Sequence, residues 1–383
     1  MKKIFVLLFA LMLCVFPSFA GNFKFVFADL NQHPEILAGF LPTYIMLGAG
    51  YEDEFLEGNT TEIDLLVGGG YVQRKVFQNP ETGKVPENED EIKNWRENGK
   101  FLTYDVIQTD YQIRTYQGFL DDLLTLRFDI AMKYEINRDS YKSDKNSSLS
   151  SFLGRDYSGK IYPDLAGDAH AFTTAFNLRL TLNMMEDTLF ENDGLEVYAE
   201  AKWAPYFLNH GITDGFADYY SLTLNAVFAK TLWSVETDVN KWVSFVLIDR
   251  VNVNWTSGKH VPISAQGPVS LGRKVRGYST YSYNSEFTLV NNLDLRIAGP
   301  ALGIASIMPR INIFLDLGYG SGDYFNTDIP ASNFLGSVGA QFTVSFFDMI
   351  DLGYQIAYIF TGEKYTDMEL DNFTTTFTFF LDF

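Results

Sequence analysis

The chain has 383 residues, a formal net charge of −19 and one cysteine, Cys14. A chain this acidic repels the phosphate backbone, so we exclude nucleic acid as a partner. With 34 Phe and 22 Tyr, it is aromatic-rich in a way that is typical of strands with one apolar and one polar face.

The first twenty residues predict a secretory signal peptide. Lys2 and Lys3 precede an apolar run over 4–17, and Ser18 and Ala20 place small residues where a signal peptidase cuts. The run is shorter than the roughly 20 residues of a membrane helix. We therefore expect 1–20 to be removed after Ala20 and 21–383 to form the mature domain. Cys14 would leave with the signal, so disulfides and thiolate chemistry are not expected.

Strict alternation of apolar and polar residues begins most clearly at 124–136. Every even position there is apolar, whereas the odd positions include four charged residues: Arg127, Asp129, Lys133 and Glu135. Because successive side chains of a strand point to opposite faces, this pattern predicts a strand with one wholly apolar face.

The same reading along the chain predicts fourteen strands. Several reach 9–13 residues, which suits a tilted membrane strand of roughly 9–11 residues. Two are irregular: 101–114 slips phase near Gln108, as a bulge would cause, and Asp249 lies out of phase in 241–255. The predicted strands are 22–28, 42–51, 62–74, 101–114, 123–136, 171–185, 194–206, 219–231, 241–255, 286–297, 310–320, 334–347, 351–361 and 372–383.

The connections between the predicted strands differ in length according to parity. The three longest, 75–100, 137–170 and 256–285, all follow odd-numbered strands. Outer-membrane barrels have short turns on the periplasmic side and longer loops outside. The sequence therefore predicts an all-β, transmembrane, antiparallel up-and-down β-barrel in contact with outer-membrane lipids.

The last predicted strand has the pattern of an outer-membrane assembly signal. Phe377, Phe379, Leu381 and the terminal Phe383 share one apolar face. In a soluble protein, an uncharged apolar edge of this kind would be an aggregation hazard. We therefore expect the outer-membrane assembly machinery to recognise these four residues during biogenesis.

Residues 271–320 resemble the barrel of the BamA/TamA superfamily, also called the bacterial surface antigen family. That barrel has a long loop with a Val-Arg-Gly-Phe/Tyr motif, and 275–278 reads Val-Arg-Gly-Tyr. A strand similar to 292–297 follows in the family. Next comes a Phe-x-Asp-x-Gly strand, which 314–318 matches.

The resemblance implies a loop that folds back into the lumen. Arg276, Gly277 and Tyr278 would then lie against the wall strand that carries Asp316 and Gly318, with the guanidinium meeting the carboxylate. It also implies sixteen strands, which we favour, because a further hairpin within 22–120 would bring the count to sixteen; fourteen strands are the alternative. Strand-like sequence begins close to Gly21, so we expect none of the periplasmic POTRA modules of the family's assembly factors.

The resemblance implies a role in protein or lipid insertion or translocation, with unknown periplasmic proteins as possible partners. Two alternatives stay open: a passive porin-like channel for small solutes and a structural or adhesive surface barrel. We expect no enzyme activity and no cofactor. No metal site is expected either, because the four histidines fall in or beside predicted loops without ligand spacing.

Overall fold

The computed structural model describes most of the chain from residue 22 onward. The predicted signal peptide and Phe383 lie outside the described residues, which are 22–32, 42–56, 58–76, 79, 82, 84–86, 88–97, 102–140, 170–187, 192–209, 215–238, 241–278, 282–300, 304, 306–347, 350–361, 364–366 and 369–381.

The described residues are dominated by β-strands, which we number in chain order. They are β1 (Asn22–Gln32), β2 (Pro42–Leu56), β3 (Asn59–Val76), β4 (Leu102–Phe119), β5 (Leu124–Asp139), β6 (His170–Asn183), β7 (Glu186–Asp187), β8 (Asn192–Ala204), β9 (Gly215–Phe216), β10 (Asp218–Asp238), β11 (Lys241–His260), β12 (Ser285–Ala298), β13 (Ile307–Tyr324), β14 (Pro330–Phe346), β15 (Ile350–Thr361), β16 (Lys364–Thr366), β17 (Glu369–Asp371) and β18 (Phe373–Leu381).

Fourteen of these strands form one antiparallel up-and-down path, which confirms the predicted fold class. Each strand pairs with the next in the order β1-β2-β3-β4-β5-β6-β8-β10-β11-β12-β13-β14-β15-β18. The short strands β7 and β9 attach to β8 and β6, and β16 and β17 form a separate hairpin. The favoured number of sixteen wall strands was therefore wrong for the described residues, because the resemblance supplied it, whereas counting the alternating segments gave fourteen.

Four helices lie in the connections as far as the structure describes them. They are α1 (Glu89–Glu97), α2 (Tyr206–Asn209), α3 (Ile263–Val269) and α4 (Leu271–Lys274). None of the helices in the described residues has the length and apolar character needed to cross a bilayer.

The predicted alternation corresponds to two faces of opposite character. On β5, Leu126 and Phe128 are exposed on the outer face, whereas Asp129 and Glu135 are almost fully buried on the inner face. Asp64 on β3 and Asp316 on β13 are buried in the same way. The polarity is thus inverted relative to a water-soluble sheet, since large apolar side chains are exposed and carboxylates are enclosed.

The two irregular strands have different explanations. The β4 ladders with β3 and β5 run without any register shift, so the bulge predicted near Gln108 is absent from them. Tyr104, Val106, Gln108 and Asp110 all alternate onto the buried face. The apparent slip arose because this inner face mixes apolar and polar residues.

At Asp249 the ladder is also continuous, with Phe228 and Leu293 as its partners on either side. The neighbours Ile248 and Val246 are buried on the inner face, and in a strand without a bulge Asp249 therefore takes the outer face. The amide nitrogen of Asn291 donates a hydrogen bond to its carboxylate at 2.5 Å. The carboxylate is thus paired on the apolar face.

In the described residues, β1 and β18 are the two edges of the sheet. β1 pairs with β2, β18 pairs with β15, and no ladder joins β1 to β18. The expected closed ring is therefore not seen between these strands. They are the shortest on the path, with eleven residues in β1 and nine in β18, so they offer fewer backbone groups for a joining ladder than their longer neighbours do.

Candidate functional site: the lumen loop

The connection between β11 and β12 folds back over the inner face of the sheet in its described residues, 261–278 and 282–284, and we call it the lumen loop. Its segments are held together by hydrogen bonds. The Ser270 hydroxyl donates to the Ser282 carbonyl at 2.6 Å, and the Gln266 amide donates to the Val261 carbonyl at 2.8 Å. These bonds satisfy polar groups that the loop buries.

An apolar cluster packs the lumen loop against the wall. Two wall glycines provide the space: a Cβ added to Gly318 would lie 2.7 Å from Cγ2 of Val275, and one added to Gly320 would lie 2.8 Å from Cδ1 of Leu271. Such distances are too short for a methyl group, so the close approach of loop and strand requires these glycines.

The Arg276 guanidinium forms a two-pronged ion pair with Asp316. Its Nε lies 2.8 Å from Oδ2 and its Nη2 lies 2.6 Å from Oδ1, and the Arg276 backbone N–H also donates to Oδ2 at 2.9 Å. Asp316 is fully buried, with 0% exposure, and the Arg276 side chain is 20% exposed. Bidentate pairs of this kind are among the stronger hydrogen-bonded contacts in proteins.

A second carboxylate and an aromatic ring complete the environment of Arg276. Nη1 donates to Oδ1 of Asp294 at 2.7 Å, and the guanidinium carbon lies 3.8 Å from the ring centroid of Phe314. Burial alone would lower the pKa of Arg276, but the hydrogen bonds and charges of Asp316 and then Asp294 raise it above its ordinary value. Arg276 therefore stays charged.

Gly277 and Tyr278 bring the lumen loop to the last wall strands. Gly277 has a φ of +102°, and a Cβ there would lie 3.2 Å from Ile359 and 3.3 Å from Ala357. The Tyr278 hydroxyl is close enough to the carbonyl of Thr361 to donate a hydrogen bond, and it accepts one from the Gly336 backbone N–H at 3.4 Å. The motif thus contacts β13, β14 and β15.

Lys274 is a second, partly buried cation of the lumen loop. Its ammonium hydrogen-bonds the Asn252 side-chain oxygen on β11, and its backbone carbonyl accepts a bond from the Asn292 amide at 3.0 Å. Burial, followed by repulsion from Arg273, lowers the pKa of Lys274 to about 8.

Sequence reasoning missed three contributors to this site. Asp294 was part of the matched motif without an assigned role, and Phe314 was read as a motif residue only. Trp95 lies in α1, within the 75–100 connection to which the sequence assigned no site residue, and it joins the apolar cluster of Leu271 and Val275. A single tryptophan in an otherwise polar segment was the available signal.

The residues of the predicted C-terminal signal are only partly described. Phe377 lies on β18 and is 63% exposed. Phe379 and Leu381 continue that strand, whereas Phe383 lies outside the described residues. The assembly signal stays a prediction.

No protein-family model matches the chain, and no curated protein matches its sequence. Among solved structures, it is similar to BamA from Haemophilus ducreyi lacking POTRA domains 1–3, at 13% identity and a TM-score of 0.45, over 94% of this chain and 70% of that one. It is also similar to CdiB from Escherichia coli, at 11% identity and a TM-score of 0.43, over 87% of this chain and 55% of that one. A third similar structure is LpxR from Salmonella typhimurium, at 9% identity and a TM-score of 0.27, over 80% of this chain and 89% of that one.

Proposed function

We propose that the chain crosses an outer membrane as a barrel whose two sheet edges, β1 and β18, meet. The outer face supports this, because Leu222 and Leu224 on β10 and Ile311 and Ile313 on β13 are each more than 40% exposed. In water so continuous an apolar surface would be unfavourable at roughly 25 cal/mol per Å². In hydrocarbon it is the expected surface, provided that every strand pairs its backbone groups.

We further propose that this barrel is loop-occluded and acts in protein or lipid insertion or translocation, as the resemblance to BamA-type barrels implies. The observation that carries this proposal is Arg276, which joins the lumen loop to Asp316 and Asp294 on two wall strands. A loop held by two buried carboxylates fills lumen space that a porin would leave to solutes. Outer-membrane lipids and the assembly machinery are its expected partners, together with unidentified periplasmic proteins.

Single-channel conductance in planar bilayers tests the occluded state. The protein should give small, flickering currents, whereas Asp316→Ala should give larger and longer openings. Losing one partner of a buried ion pair costs about 3–5 kcal/mol, and here most of that cost would fall on docking of the lumen loop.

Asp323→Ala is the matched control, since Asp323 lies on the same strand β13 but outside the contacts with Arg276. It should conduct as the unmodified protein does. A large, steady current from the unmodified protein, or identical currents from Asp316→Ala, would contradict the occluded barrel.

A passive solute channel is the second candidate, and one observation favours it. A cavity of about 500 Å³ lies beside the lumen loop and is lined by polar residues of the wall, including Arg74, Asp110 and Lys202. Steady conductance of the unmodified protein would favour this function. The surface-contact alternative stays a prediction, because most of its loop 137–170 lies outside the described residues.

A further inference from the structure

A separate cavity of about 240 Å³ opens on the inner face at the end of the sheet where the short turns lie. Three arginines from consecutive strands line it, together with two aspartates, Ile248 and polar uncharged side chains from β13 and β14. The arginines are Arg250, Arg296 and Arg310, and the uncharged polar residues are Asn312, Gln341 and Thr343. Three guanidinium groups against two carboxylates leave the lining with a net positive charge, in a chain whose formal net charge is −19.

The register brings two of these arginines close together. Arg296 pairs with Asn312 across the β12–β13 ladder, and Arg310 pairs with Ala298. Arg296 and Arg310 are therefore diagonal neighbours on one face, and Cα atoms in that relation lie about 7–8 Å apart. Two like charges at this spacing repel each other, and a bound anion that contacts both would relieve that repulsion.

The two acidic residues in the lining are already engaged. Asp294 accepts hydrogen bonds from Arg250 at 2.5 Å and from Arg276 at 2.7 Å, and Asp351 accepts one from the Ser345 hydroxyl. Among the described residues, the hydrogen bond donated by the Arg310 guanidinium goes to the sulfur of Met308 at 3.9 Å. A thioether is a weak acceptor, so Arg310 retains donors for a better one.

We propose that this cavity binds a phosphoryl group, carried by a small soluble molecule or by a lipid headgroup. Guanidinium groups match the oxygen geometry of phosphate and bind it through paired hydrogen bonds. Asn312, Gln341 and Thr343 supply further polar contacts. The cavity is smaller than the roughly 300–1,000 Å³ of sites for drug-sized ligands, which suits a ligand of one or two phosphoryl groups.

The site is distinct from the Arg276–Asp316 contact, although the two are linked. Asp294 is shared between Arg276 of the lumen loop and Arg250 of the cavity. An anion in the cavity would compete with Asp294 for the guanidinium of Arg250. Asp294 would then pair with Arg276 alone. Occupation of the cavity therefore strengthens the hold on the lumen loop.

Calorimetric titration with inorganic pyrophosphate tests the site. The folded protein is placed in nanodiscs of phosphatidylcholine at low ionic strength, where charge contacts are least screened. Saturable binding of one pyrophosphate per chain is expected. Arg310→Gln should weaken it about tenfold, as the loss of one charged hydrogen-bond donor does, and Arg310→Lys should fall between the two.

Arg179→Gln is the matched control, because Arg179 is another wall arginine but pairs with Glu200 on β8 at 2.6 Å, away from the cavity. It should bind pyrophosphate as the unmodified protein does. The gel mobility shift between heated and unheated samples confirms that each variant is folded before titration.

A second arm distinguishes the source of the phosphoryl group. If phosphatidylglycerol in the nanodiscs suppresses pyrophosphate binding, the occupant is a lipid headgroup, and if it does not, the occupant is a soluble anion. Absence of saturable pyrophosphate binding, or equal binding by folded Arg310→Gln, would overturn the proposal. The conductance comparison of Asp316→Ala with the unmodified protein is made without pyrophosphate, so the proposed occluded barrel is tested separately.

Discussion

The inner faces of β3–β6 and of β11–β13 both carry buried charges, but they connect those charges to different parts of the molecule. On the first, the pairs join strand to strand: Arg74 meets Glu135 at 2.5 Å, both 3% exposed. On the second, Asp294 and Asp316 both meet Arg276 of the lumen loop. Similar chemistry thus stabilises the wall itself in one region and positions a loop in the other.

The largest expected difference between the regions comes from Arg74→Met. It leaves the buried Glu135 without its bidentate partner, and among the described residues Lys133 at 4.0 Å is the remaining cation near it. Breaking a buried pair costs about 3–5 kcal/mol. Urea unfolding of the reconstituted protein should show this loss, whereas the conductance should keep its small, flickering form.

Arg138→Met provides the comparison for the unfolding measurement. Arg138 lies on β5, the strand that carries Glu135, but its side chain is exposed. It should unfold as the unmodified protein does. If Arg74→Met opened the channel without lowering stability, the two regions would not be separable in the way the contacts indicate.

A smaller effect is expected from Gly318→Ala, which sharpens the comparison by disturbing the lumen loop without removing a charge. The added Cβ would lie 2.7 Å from Val275, and overpacking of this kind typically costs about 1–3 kcal/mol. Openings should become more frequent than in the unmodified protein but fewer than in Asp316→Ala.

Gly69→Ala on β3 is the matched change in the other region, because the Cβ there would find its nearest neighbour at 3.7 Å. It should leave the conductance unaltered. Equal currents from the two alanine variants would show that the lumen loop does not depend on close contact with β13.

The smallest expected effect is the pH dependence of Lys274. Burial lowers its pKa from 10.5 to about 8 in the docked loop, so the undocked loop binds more protons between these values. Docking is therefore weakest below pH 8 and strengthens as the pH rises toward 10.5. Openings should become rarer between pH 7 and pH 10, and Lys274→Met should remove this component of the trend.

The period-two pattern sufficed to predict the fold, because each wall strand contrasts an apolar outer face with a polar inner one. The prediction failed where that contrast is weak. Tyr104 and Val106 are fully buried on an otherwise polar inner face. In the sequence, apolar residues at these inward positions look like a shift in the alternation of apolar and polar residues. Asp249 departs from the pattern without any bulge, because Asn291 on the neighbouring strand pairs with it.

The candidate site was predicted only as far as the motif residues extended. Arg276 and Asp316 could be named together because a resemblance linked them across forty positions. Asp294 and Trp95 could not, since their roles depend on which strands are neighbours and on how the connection between β3 and β4 folds. Such contacts depend on three-dimensional packing, which alternation along one strand does not encode.

The even number of strands on the wall path has a practical consequence for engineering. An up-and-down sheet of fourteen strands starts and finishes on the same side, so Asn22 and Leu381 both lie at the short-turn end. A reporter domain fused before β1 would be delivered to the compartment at that end, opposite the side that displays the long connections, and would leave the predicted C-terminal assembly signal in place. Antibody epitopes inserted into those connections would mark the other compartment.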